Sequence, residues 1–367
     1  MLFDIYKNKS VLITGNTGFK GSWLTIWLRF LGADVTGFSS EVPTVPSNYD
    51  SCALDFVSKT RFADVRDLVS LKSVVEETQP DYIFHLAAQS LVKKSYDSPI
   101  DTFTTNAIGS ANILEASRVL TKPVSIVMIT SDKAYDNVEW KWGYRENDVL
   151  GGKDPYSASK GMAELVIRSY FTSFMNKENC NQKIGITRAG NVIGGGDWAL
   201  DRIIPDCVKS WSRNEVVDVR NPEATRPWQH VLEPLSGYLT LGAQLGTIDS
   251  LNGEAYNFGP ASDQNYSVSQ LINEMKKYWT NVSWLNTTND RDMRNEAGLL
   301  KLNCDKALFD LKWNPALNFE ETVKFTVDWY KAFYDQSDKS MYDFCVQQIE
   351  EYTKIAHDKK IWWAIND

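Results

Sequence analysis

Two short stretches carry side chains whose types and spacing could move protons. In "DPYSASKGMAE" Tyr156 and Lys160 stand four residues apart, which on a helix is one turn and one face. A cation beside a phenol favours the phenolate and draws a pKa of about 10 toward neutrality, so the pair could act as a general base on a hydroxyl. In "IVMITSDKAYDN" an apolar run ends in Ser131, Asp132 and Lys133. The serine could hydrogen-bond the substrate oxygen that the tyrosine serves, and the adjoining acid and amine could handle further protons. The bland alternative for Asp132 and Lys133 is a surface salt bridge, worth about 1 kcal/mol at most.

A third stretch, "VLITGNTGFKGSWL", spaces Gly15, Gly18 and Gly21 at three-residue intervals between a strand pattern and a helix pattern. Glycines there let the backbone turn tightly and approach a pyrophosphate at the helix's positive end. The spacing differs from the Gly-x-Gly-x-x-Gly of the usual dinucleotide fingerprint. An acid is expected at the end of the next strand to hold the adenosine ribose of NAD, but Ser39 and Ser40 stand there with Glu41 beyond. That site leaves NAD and NADP both open, although no arginine is present to receive a 2′-phosphate.

These groups need a frame to hold them. Short β-rich apolar runs at 10–15, 34–38, 82–88, 124–130 and 183–190 alternate with helical patterns, which predicts a parallel sheet covered on both faces. The expected class is α/β, a doubly wound parallel sheet with a smaller C-terminal lobe for substrate. Asp154 is the expected N-cap and Pro155 the first residue of the helix bearing Tyr156 and Lys160. The predicted division is a dinucleotide-binding domain over 1–189 with a returning segment near 229–258. The substrate lobe is expected over 190–228 and 259–335, and an appended helix over 336–367.

Composition narrows the function classes. The 367 residues carry 39 basic against 47 acidic side chains, a net charge of −8, and no basic run, so nucleic acid is not an expected partner. No apolar stretch is long enough to span a bilayer and the opening residues lack a signal-peptide core, so a membrane is not expected either. Five scattered cysteines without Cys-x-x-Cys spacing suit a reducing, cytoplasmic setting. Three isolated histidines give no reason to expect a metal.

Together the glycine loop, Ser131, Tyr156 and Lys160 resemble the extended short-chain dehydrogenase/reductases. Over residues 8 to 330 the motifs "GNTGFKGSWL", "HLAAQSLVKKSYDSP", "TSDKAY", "RAGNVIGGGDWALDRIIPD", "RPWQHVLEPLSGYL" and "NEAGLLKLNCDKA" resemble its nucleotide-sugar 4,6-dehydratases. Asp-Lys in place of Asp-Glu after the strand marks the group acting on CDP-glucose. The resemblance implies NAD held by Gly15, Asn16, Thr17, Gly18, Phe19, Lys20 and Gly21, by Val65, Leu86, Ala87 and Ala88, and by Asn106, Tyr156 and Lys160. Asp64 would meet the adenine amine, or serve only as a helix cap.

It further implies a CDP-glucose substrate touched by Gln89, Asn191, Arg202, Arg226, Arg294 and Glu296, with Arg188 and Arg291 weaker candidates and Trp198 either in the sugar pocket or in the core. Asp132 would be the acid of water loss, and Lys133 either the base at C5 or a cation steadying the enolate. The chain departs from the family at Asn16 and Asn295, where histidine is common. Homodimers or dimers of dimers are usual in that family. A dTDP-, UDP- or GDP-sugar dehydratase, a nucleotide-sugar 4-epimerase that has no use for Asp132 and Lys133, and a catalytically silent binder are the competing readings.

Overall fold

The computed structural model describes residues 1–178, 180–288, 299–335 and 340–365. Seven strands form its central sheet: β1 (Ser10–Thr14), β2 (Asp34–Ser39), β3 (Lys59–Phe62), β4 (Tyr82–His85), β5 (Val124–Ile129), β6 (Gln182–Arg188) and β7 (Ala255–Asn257). Their spatial order is β3-β2-β1-β4-β5-β6-β7, and every neighbouring pair is parallel. The helices used below are α1 (Phe19–Phe30), α2 (Leu68–Thr78), α3 (Gly109–Ser117), α4 (Pro155–Tyr170), α5 (Ile203–Trp211), α6 (Leu232–Leu245), α7 (Phe319–Tyr334) and α8 (Met341–Asp358).

Alternation along each strand divides its side chains between two cores. Val11, Ile13, Phe84 and Val127 enter one that includes residues of α1, α6, α7 and α8. Leu12, Ile83, Ile126 and Met128 enter another that includes residues of α2, α3 and α4. Both faces are therefore dry, which is why these strands read as unbroken apolar runs. The apolar runs of the sequence correspond to β1, β2, β4, β5 and β6. The two outer strands gave no such signal: β3 is "KTRF" with no buried residue, and β7 has three residues.

The C-terminal helix α8 is seated on the first core. Tyr352 stands edge-on to Trp27 at 5.7 Å, and Trp363 stacks on Phe3 at 5.0 Å. Beneath it Glu233 of α6 is buried and accepts hydrogen bonds from the Ala316 and Leu317 amides at 2.9 and 2.6 Å and from the Tyr352 hydroxyl at 2.9 Å. Burial pushes its carboxyl up to about 7, against those hydrogen bonds, which pull it down. Among the described residues no helix is long and apolar enough to cross a membrane.

Candidate active site

The carboxyl ends of β1, β4, β5 and β6 bring the sequence-predicted groups to one edge of the sheet. Gly15 follows β1 with φ +77°, and a Cβ there would lie 2.7 Å from the Ala87 nitrogen; a Cβ on Gly21 would lie 2.0 Å from the Gly15 carbonyl oxygen. Only glycine fits either position. The cradle opens onto α1, whose N-cap is Gly18 with no side-chain cap, so its first amides are available to an anion. Leu86, Ala87 and Ala88 form the facing segment after β4, with the Leu86 amide tied to the Thr14 carbonyl at 2.9 Å.

Several loop side chains point away from the cradle. Asn16 is buried, donating to Thr60 at 2.9 Å and accepting from Ser39 at 2.8 Å, while Thr17 donates to the Glu41 carbonyl at 2.6 Å. What these two offer a cofactor is backbone. Asp64 is gripped by Arg66 at 2.5 Å, and Arg66 also reaches Asp101 at 2.5 Å; the guanidinium holds the Asp64 carboxyl below the usual range. Val65 is buried, its carbonyl accepting from Asn112 at 3.0 Å. Lys20 is drawn inward, its ammonium pushed down to about 8 by burial, then by Arg202 and Lys160, against the pull of Asp132 and Asp197.

Asp154 caps α4 through the Ser157 amide at 3.0 Å and presents Tyr156 and Lys160 on its buried face. Ser131 is close enough to Tyr156 to draw its phenol down, while the serine's own hydroxyl is bonded to Asp132. The phenol is not lowered as expected. Burial pushes it up to about 12, and Ser131 and Arg202 pull it only part of the way back. Lys160, which was to lower it, is itself brought down to about 8 by burial, because a low dielectric disfavours both charged forms. Asn106 is committed to structure: it exchanges hydrogen bonds with the Gln89 backbone at 2.8 and 3.0 Å and donates to Ser159 at 2.8 Å.

Ser131 caps a short turn, Asp132–Ala134, and donates to Asp132 at 2.9 Å. Asp132 is buried and Lys133 half-buried. Asp132 lines a cleft with Asn191, Gln229, Pro260, Ser262 and Lys301. It also abuts Gly190, where a Cβ would fall 1.9 Å from its Oδ2. Asn191 adopts φ +53°. Arg202 bonds Asp197 at 2.6 Å and influences Tyr156 electrostatically, so it stands near the tyrosine. Arg226 donates to the Thr225 carbonyl at 2.8 Å.

Three candidates are placed elsewhere. The Gln89 side chain is occupied by Leu91 and by Thr102 at 2.9 Å. Arg188 is fully buried against Glu164, out of reach of a solvent-borne phosphate. Trp198 packs in the core, edge-on to Tyr330 at 5.1 Å. Arg291, Arg294, Asn295 and Glu296 lie outside the described residues. Sequence reasoning passed over Gly190, Asp197 and Gln229. Only Asp197 left a signal, as the acid five residues before Arg202.

A parallel Rossmann sheet, a glycine cradle and a Ser–Tyr–Lys group at its carboxyl edge define the class of extended short-chain dehydrogenase/reductases. A family model described as GDP-mannose 4,6 dehydratase matches residues 12–326. A CDP-glucose 4,6-dehydratase of Salmonella typhimurium is 45% identical over 334 residues, 90% of this chain and 92% of that one. The chain belongs to the nucleotide-sugar 4,6-dehydratase family. Two solved structures share the fold. A UDP-glucose 4-epimerase from Stenotrophomonas maltophila with bound NAD has a TM-score of 0.77 at 20% identity, covering 90% of this chain and 100% of the other. A dTDP-glucose 4,6-dehydratase from Bacillus anthracis in complex with NAD has a TM-score of 0.72 at 20% identity, covering 89% and 97%.

Proposed function

We propose that the enzyme converts CDP-glucose to CDP-4-dehydro-6-deoxyglucose with NAD as a recycled cofactor. The observation that carries this over epimerisation is the Asp132–Lys133 pair that follows Ser131, with Asp132 lining the cleft. The CDP-glucose 4,6-dehydratase at 45% identity supports the nucleotide, and the NAD in the two solved relatives supports the cofactor. A dinucleotide suits the cradle, since the space kept open by Gly15 and Gly21 is what a Cβ would fill and the uncapped α1 amides suit its pyrophosphate.

Gly15 to Gly21, Val65, the 86–88 segment and Lys160 would hold the cofactor, which when bound accepts hydride from C4 of the sugar and returns it to C6. Tyr156 takes the proton of the 4-hydroxyl, with Ser131 on the same oxygen and the charges of Lys160 and Arg202 offsetting what burial costs the phenolate. The ketone so formed acidifies the C5 proton. Asp132 protonates the departing 6-hydroxyl, which leaves as water; Lys133 takes the C5 proton, or steadies the enolate while another base takes it, and a proton returns to C5 as hydride adds to C6. Asn191, Arg202 and Arg226 face the diphosphate.

Incubation with CDP-, dTDP-, UDP- and GDP-hexoses, followed by the absorbance of 4-keto sugars in alkali, tests the reading. CDP-glucose should give the strongest signal, and an inverted C4 alcohol without ketone would replace it with an epimerase. In a Lys133→Met protein, loss of solvent deuterium at C5 would assign that proton to Lys133, and unchanged exchange would leave it the stabilising cation. We assign residues 1–189 with 229–258 to the cofactor and 190–228 with 259–335 to the nucleotide sugar, in a cytoplasmic homodimer or dimer of dimers. The product would enter deoxysugar biosynthesis, for glycans such as O-antigen lipopolysaccharide.

A further inference from the structure

A buried ion pair lies behind the Ser131–Ala134 turn. Glu164 of α4 and Arg188 at the end of β6 are both fully buried and joined by two parallel bonds of 2.6 and 2.5 Å. Such a pair is a poor way to gain stability: removing both charges from water is costly, and well-packed apolar residues often do as well or better. Its other hydrogen bonds set this pair apart. The Thr130 hydroxyl donates to Glu164 Oε1 at 2.7 Å, and Arg188 Nη1 donates to the Tyr135 hydroxyl at 2.6 Å.

Thr130 immediately precedes Ser131, and Tyr135 immediately follows Ala134. Both ends of the turn are thus fastened to opposite halves of one salt bridge. From Tyr135 the network continues to Asn257 Oδ1 at 2.8 Å, and Asn257 donates to the Asn303 carbonyl at 3.1 Å, next to the cleft residue Leu302. Glu164 is also one helical turn beyond Lys160. The same carboxylate therefore ties the turn to the helix that carries Tyr156.

We propose that the Glu164–Arg188 pair is a positioning device for the acid–base turn, fixing Asp132 and Lys133 relative to Tyr156 so that water loss keeps pace with oxidation at C4. None of its members touches the substrate; Thr130, Tyr135, Glu164 and Arg188 are positioning residues. The inference rests on the dehydratase reading for its catalytic consequence, though not for its structural one.

The Thr130→Val/Tyr135→Phe double variant removes both fastenings, nearly conserves volume and leaves the ion pair itself paired. With CDP-glucose deuterated at C4 or at C5, kcat should fall about tenfold to a hundredfold while KM moves less than about threefold. The C5 isotope effect should rise and the C4 effect approach unity, because elimination becomes the slower step. Isotope effects do not depend on how much of the protein is folded, so a purely structural defect would leave them unchanged, and that result overturns the proposal. Amide hydrogen exchange across residues 130–135 needs no substrate and should quicken about tenfold relative to the rest of the sheet. Unchanged exchange there would overturn the proposal even if the wild type proved inactive on CDP-glucose, whereas faster exchange with an inactive wild type would remove only the dehydratase reading.

Discussion

At the scale of single residues, an absent methyl group governs where the proposed acid can stand. Gly190 leaves room for the Asp132 carboxylate, which an added Cβ would approach to 1.9 Å. Gly190→Ala should therefore displace the carboxylate by about 1 Å and cut kcat about a hundredfold, with KM for the nucleotide sugar changed much less; steady-state kinetics would check this, and wild-type turnover would show that Asp132 does not need its position. The tyrosine, lysine, serine and glycines were legible because type and local spacing carry their chemistry. Gly190 was not, since its meaning depends on β5 and β6 lying side by side. Asn16, Gln89 and Arg188 show the converse: the family resemblance implied ligand contact for them, and the fold placed their side chains against Ser39, Leu91 and Glu164.

At the scale of elements, the strands that are buried on both faces announced themselves and the edge strands did not. A doubly covered strand must be apolar throughout, whereas β3 spans Lys59–Phe62 with neither a buried residue nor a period. The start of α4 was equally legible, because Asp154 and Pro155 act on their immediate neighbours. What single-chain patterning leaves open is the outward side of these helices. Met162 and Leu165 on α4, with Ile100 and Ile108 on the helical segment leading into α3, are exposed apolar residues, the composition expected where a second copy covers them. Leu165→Glu should convert the proposed dimer to monomer in light scattering without lowering the melting temperature of the monomer. A variant that stays dimeric would move the interface elsewhere.

At the scale of the whole molecule, three buried groups hold protonation states unlike those of the unfolded chain. Burial brings His85 and His230 down to about 3 from 6.5 and Glu233 up to about 7 from 4.5. Lys160 adds to the effect on His85, and Tyr352 and Lys359 face Glu233. Below about 6.5 the unfolded chain binds two histidine protons that the native state refuses, so their contribution is present above that pH and lost in acid. Glu233 acts in the opposite sense, contributing most below about 4.5 and losing that contribution as pH rises toward about 7. Between about pH 4.5 and 6 the net difference is close to one proton, a slope of about 1.4 kcal/mol per pH unit from these groups. Glu233→Gln removes the opposing proton and should steepen the rise of unfolding free energy from pH 5 to 6.5 by about the same amount again, as read by urea titration; parallel curves for the two proteins would contradict the burial argument.

The Glu233 carboxyl under α8 has one more effect, on heat. Near pH 6 the protons exchanged on unfolding come from the buffer and return to it. Two calorimetric scans at equal pH, one in phosphate and one in an amine buffer, should therefore give different apparent enthalpies for the same transition. Dividing that difference by the difference in the buffers' ionisation heats counts the exchanged protons directly.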